Sequence, residues 1–166
     1  MNNKSIHEKF LIDPFYPANG FENNDRLKIN NLPFYYESNH LLSTNELKIP
    51  QNSDELITEM FKDWKEENEL LTSYFRERNR KLALEPMVRG LANLITINTW
   101  INDVMLTTLD NLLVDLDQLA IKPINLIERI SFVLKQPDHY HSFIQLTGLY
   151  TELEKLYVKQ KITSSK

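Results

Sequence analysis

From Ser53 onward the apolar residues recur at intervals of three and four, and no stretch alternates apolar with polar as a half-buried strand requires. A helix turns once in about 3.6 residues, so this spacing gathers side chains into one stripe that must be covered. Leu56, Ile57, Met60, Phe61, Trp64, Leu71 and Phe75 make the first stripe, with Asn52 or Ser53 as N-cap and Asp54 and Glu55 in the first turn. The pattern predicts a helix running to about residue 81. Pro86 suits a first helical position, and a second stripe follows it through Val88, Leu91, Leu94, Ile95, Asn98, Ile101, Asn102 and Met105. Residues 107–121 predict a short helix between loops.

Asn125, followed three residues later by Glu128, has the form of a capping box before Leu126, Ile127, Ile130, Val133 and Leu134. Pro137 ends that helix, and Asp138 is the expected cap of the last one. There Phe143, Leu146, Tyr150, Leu153 and Tyr157 are spaced 3, 4, 3, 4, a heptad-like seam that at this length reads as core rather than coiled coil, with Tyr150 and Tyr157 as its exposure-prone members. The expected fold is all-α, a compact bundle of four or five helices.

Residues 1–52 have a different texture. Asn, Asp, Gly and Pro stand at turn positions in "DPFYP", "NGFENND" and "INNLPFYYE". Phe10, Phe15, Tyr16, Phe21, Phe34, Tyr35 and Tyr36 read as anchors. The expectation is an irregular, extended N-terminal arm over residues 1–52 that packs on a helical domain at 53–166, with a partner surface as the other possible receiver of the rings.

At 166 residues the chain suits one domain that buries roughly two-thirds of its unfolded surface. The net charge of −4 supplies no bulk attraction to nucleic acid or anionic lipid. With no cysteine there is no disulfide, no thiolate nucleophile and no Cys-type zinc site, which fits a reducing compartment. The start "MNNKSIHEKFLIDPFYP" lacks the form of a signal peptide, and "GLANLITINTWI" falls well short of the ~18 apolar residues of a membrane span. A soluble, cytoplasmic protein with no membrane insertion is expected.

Three groups of residues invite a functional reading. The first is "QPDHYHSFIQL", with His139, Tyr140 and His141 near Gln145. On a helix, imidazoles two positions apart point about 200° from one another and do not chelate one metal, and glutamine is a poor ligand. The favoured reading is a helix start, with ligand binding or catalysis as alternatives. The second is "SYFRERNRK", where Arg76, Arg78, Arg80 and Lys81 adjoin Tyr74 and Phe75 and could grip single-stranded nucleic acid. The same cations would also offset the negative end of a helix. Residues 53–85 carry 6 basic and 9 acidic groups while 122–166 carry 7 and 4, so the molecule is polarised rather than basic. The third is Asn98 and Asn102, one turn apart on an apolar stripe with Trp100 between them, which read as buried helix–helix bonding or as a small polar pocket.

Only Gly20, Gly90 and Gly148 are present, so there is no phosphate-cradling loop, and neither GxSxG nor a carboxylate pair facing a histidine occurs. Arg129 precedes His139 by ten residues, unlike the short spacing of HEPN-type helical nucleases. No cofactor, metal or catalytic residue is assigned. The expected role is that of an accessory or adaptor acting on another protein. Nucleic-acid binding, or an enzyme or sensor built on His139 and His141, are the alternatives.

The block "KPINLIERISFVLKQPDHYHSFIQLTGLYTELEKLY", with "WIN" at Trp100–Asn102 and "PFYYE" at Pro33–Glu37, resembles the YpoC-like proteins of low-GC Gram-positive bacteria over roughly residues 30–160. The resemblance supplies no catalytic residues and implies an accessory or interaction role.

Overall fold

The computed structural model describes residues 6–17, 32–43 and 48–165. A 3-10 turn at Glu8–Phe10 is followed by α1 (Tyr35–Ser43), α2 (Ser53–Arg76), α3 (Arg80–Trp100), α4 (Leu112–Asp117), α5 (Leu126–Lys135) and α6 (Tyr140–Ser164). Among the described residues there is no strand. The all-α expectation holds, and the sixth helix, α1, lies in the segment expected to be irregular. "NGFENND" and Phe21 lie outside the described residues.

α3 occupies the centre. From Pro86 to Ile101 every residue except Asn93 is buried, so α3 is covered on all sides, as a helix apolar around most of its circumference must be. α2 packs against it with Ile57, Met60, Phe61, Trp64 and Leu71 buried, and α6 packs against both with Phe143, Leu146, Tyr150 and Leu153. Each such side chain contributes ~1.5–3 kcal/mol of apolar burial. The seam is core as expected, and Tyr150, one of its exposure-prone members, is only 2% exposed. The reason is its ring contact with Trp64 of α2, which pulls that position of the seam inward. α5 packs on α6 and α4 on α5.

Phe10, Phe15 and Phe34 are buried in the common core. Phe10 stacks on Phe34 at 5.6 Å between centroids, and Phe15 meets Phe34 edge-on at 4.9 Å. The Tyr16 hydroxyl donates to the Pro33 carbonyl at 2.7 Å, and the His7 amide donates to the Ser38 hydroxyl oxygen. The Leu109 amide donates to the Lys9 carbonyl, which ties the segment to the loop before α4.

Several boundaries differ from the sequence expectation. α2 stops at Arg76 rather than near residue 81, because Arg78 adopts φ 56° and the Asn79 side chain accepts the Leu82 amide, starting α3 at once. Pro86 therefore lies inside α3 instead of opening it, and its missing N–H leaves the Leu82 carbonyl without the usual i→i−4 bond. α3 ends at Trp100, short of Met105, where Asp103 takes φ 57° and the amides of Asn102 and Val104 turn back onto the Thr99 carbonyl. The Asn125–Glu128 capping box does not form. Asn125 is left-handed at φ 56°, a conformation its short polar side chain tolerates, and its side chain makes no capping bond. Nor does Asp138 cap α6: the extended residue before the helix is His139, and Asp138 pairs with Arg80 at 3.2 Å.

Candidate functional site

The residues singled out from the sequence fall into three separate settings. His139 is partly exposed, with Nε2 3.8 Å from Asp138 Oδ1, and His141 is exposed on the first turn of α6. The Tyr140 ring meets Phe75 edge-on at 6.0 Å, and Gln145 accepts from Arg129 Nε at 3.1 Å. Arg129 also holds Glu152 at 3.0 Å, so Gln145 belongs to an ion-pair cluster between α5 and α6.

Asn98 and Asn102 act on a different part of the chain. Asn102 accepts the Ile121 amide at 2.8 Å and donates to the Ile121 carbonyl at 2.7 Å, and Asn98 donates to that carbonyl at 2.8 Å. Together they fasten the loop between α4 and α5 to the end of α3. Trp100 is buried against Tyr36 at 5.6 Å, with its Nε1 unpartnered, as is Asn98 Oδ1. No described contact joins Asn98, Trp100 or Asn102 to His139, Tyr140, His141 or Gln145.

The basic run is also divided. Arg76, Arg78 and Lys81 are exposed at the α2–α3 corner, while Arg80 is bound to Asp138. Phe75 stacks on Phe143 at 5.2 Å and meets Tyr140, so that ring face is already occupied from within the fold.

The most polar interior lies elsewhere, where α1, α2 and α3 meet. Glu37 of α1 is 1% exposed; its Oε1 accepts the Thr96 hydroxyl at 2.8 Å and its Oε2 is buried without a partner. Burial holds the Glu37 carboxyl up at about 7, with the Thr96 hydrogen bond opposing that rise. Around it is a small, partly open space of about 40 Å³ lined by Tyr36, Glu37, Glu59, Asp63, Asn93 and Thr96 among others. Asp63 and Asn93 also line a neighbouring hollow of about 230 Å³ with Trp64, Glu66, Glu67 and Arg89. Arg89, on the floor, pairs with Glu67 and with Glu85 at 3.3 Å. Asp63 is raised from its ordinary value by desolvation and then by Glu66, with Arg89 and Lys62 working in the opposite direction.

Sequence reasoning passed over this cleft. Its visible signals are Glu59, Asp63, Glu66 and Glu67 at i, i+4, i+7 and i+8, which share one side of α2, and Arg89 inside the apolar run "PMVRGLANL". Glu37 lies 59 positions before Thr96 and had no local sign of burial.

Fold and surface together define a small helical protein with one buried carboxylate, Glu37, at the base of a carboxylate-lined cleft, and no described cluster of three His, Cys, Asp or Glu able to hold a metal ion. The model of the YpoC-like protein family matches residues 54–165, and the chain belongs to that family. A curated relative, the uncharacterized protein YpoC of Bacillus subtilis (strain 168), is 29% identical over 109 residues, 66% of either chain. The match thus spans just under two thirds of that relative. No solved structure matches the chain. Among the described residues, no helix is long and apolar enough to cross a membrane.

Proposed function

We propose that this protein is a cytoplasmic accessory protein that works by binding another protein through the outer face of α6. The observation that carries this reading is the exposed apolar content of that helix. Ile144, Val158 and Ile162 are 48%, 49% and 57% exposed, and the latter two adjoin Thr151 and Lys155 along a shallow trough. Apolar side chains gathered along one helix face, rimmed by charges such as Glu154 and Lys159, suit a protein interface. Nucleic-acid binding by Arg76, Arg78, Arg80 and Lys81 has less support, because Arg80 and the neighbouring Phe75 ring are engaged internally. A site on His139 and His141 has less as well, since the described contacts of Asn98, Trp100 and Asn102 hold Ile121 and Tyr36 and bring none of them to the histidines.

A photo-crosslinking residue at position 158 or 162, expressed in a cell of a related bacterium, tests the reading. A discrete heterologous adduct from these positions, absent when the probe is at Glu69, is the expected result. Adducts of this chain with itself alone, or none, would overturn it.

A further inference from the structure

The cleft between α1, α2 and α3 has a surplus of acceptors. Glu37, Glu59 and Asp63 line its inner part, among residues that include no Lys, Arg or His. The outer part adds Glu66 and Glu67 against Arg89, whose guanidinium is already shared between Glu67 and Glu85. An unpartnered carboxylate oxygen in a buried site is costly, ~1–3 kcal/mol or more for a charged group, so Glu37 Oε2 specifies what is missing: a donor, and one carrying positive charge. The carboxylates are not grouped for a metal ion.

An alkyl ammonium meets these demands. It brings three donors and no acceptor, its charge offsets the crowded carboxylates, and the aromatic residues Tyr35 and Tyr36 line the same space. The inner space of about 40 Å³ takes a group of that size, and the adjoining hollow of about 230 Å³ along Trp64 leaves room for its methylene chain. We propose that this cleft is a binding site for an organic cation with a terminal primary ammonium, its head beside Glu37, Glu59 and Asp63 and its chain along Trp64. The site is separate from the α6 face and does not depend on the role given to it. Two sources share this chemistry: a free alkyl polyamine and a lysine side chain of a peptide.

Protonation of Glu37 should compete with the ligand. The titratable groups about Glu37 are Tyr16 from the N-terminal segment, Tyr35 and Tyr36 from α1, and Glu59 and Asp63 from α2; α3 presents Thr96 and Asn93. Tyr16 and Tyr36 are held above their ordinary range, and Glu37, held up at about 7 by burial, changes charge near neutrality.

Isothermal titration of the full chain at about 50 mM salt, where charge contacts are weakly screened, decides the matter with 1,5-diaminopentane, spermidine and hexalysine as probes. At least one should bind, tighter at pH 8 than at pH 6. Glu37→Gln and Asp63→Asn should each weaken it tenfold or more, while Glu69→Gln and Asp110→Asn leave it unchanged. Asp63 is exposed, so its variant keeps the test valid if Glu37→Gln folds poorly. Binding of the diamine or spermidine identifies a free amine, and binding of hexalysine alone a lysine side chain. No binding by any probe, or binding equally weakened by the Glu69 and Asp110 variants, would overturn the proposal and leave the inner space to water.

Discussion

Trp64 of α2 and Tyr150 of α6 lie ring on ring, 4.4 Å between centroids and 6° from parallel. The Tyr150 hydroxyl donates to the Gly90 carbonyl of α3 at 2.5 Å, so one stacked pair locks three helices together. The contact depends on Gly90 having no side chain.

A methyl group at Gly90 would stand 2.6 Å from Trp64 Cζ3 and 2.9 Å from Cε3. The indole cannot retreat without breaking its stack on Tyr150. Gly90→Ala should therefore cost ~1–3 kcal/mol by overpacking, a fall in midpoint of ~2–4 °C per kcal/mol for a chain of this size. Calorimetric melting checks it, and an unchanged midpoint would show that the ring gives way.

Glu37 makes stability depend on pH in an unusual direction. Its carboxyl moves from 4.5 to about 7 on burial, so the folded state binds the proton more tightly than the unfolded state. The stabilisation is fully present below about 4.5 and is lost as pH rises through about 7. The shift corresponds to roughly 3 kcal/mol. Glu37→Gln should flatten this limb, leaving the variant about as stable as the parent at pH 5 and more stable at pH 8. Urea unfolding at the two pH values distinguishes this from a uniform loss, which would mean that the carboxylate is satisfied when charged.

Asn102 binds both the amide and the carbonyl of Ile121. Asn102→Ala should cost ~2–3 kcal/mol, because it leaves backbone groups of a partly buried loop without their partner. The Ile121 amide should also lose most of its protection against hydrogen exchange. Protection equal to the parent's would show that Asn102 is dispensable to the loop.

At the helix starts, Asn79→Ala should cost ~1 kcal/mol, since the side chain caps the Leu82 amide. Asp138→Ala should cost under ~0.5 kcal/mol, because its ion pair with Arg80 is partly exposed and it caps nothing. Replacing His139 and His141 by Asn should likewise stay within ~0.5 kcal/mol. Thermal melts of the four variants test the ordering, and a large loss for Asp138→Ala would restore it as the cap of α6.

Helix type was legible throughout the second half of the chain because it depends on neighbours three and four positions away. α5 and α6 follow stripes visible in "LIERISFVLK" and in the run of Phe143, Leu146, Tyr150 and Leu153. Boundaries were less legible. At Glu77–Asn79 the chain turns a corner without glycine, on a left-handed arginine and a capping asparagine, and these polar residues read as a continuing helix surface. At Asn125 the capping pattern was present, yet the backbone adopted a conformation from which the side chain could not cap.

The sequence by itself determined the helical class, the absence of thiol chemistry and the amphipathic faces of α2 and α5, since all of these are sums over residue types and short intervals. Tertiary structure decided which polar groups share a site. Glu37 is one carboxylate in an aromatic stretch until α1 docks and sets it against Thr96, 59 positions away, and within the cleft that also holds Asp63. The burial of a charge depends on what covers it, and in this fold the cover comes from helices that are distant in sequence.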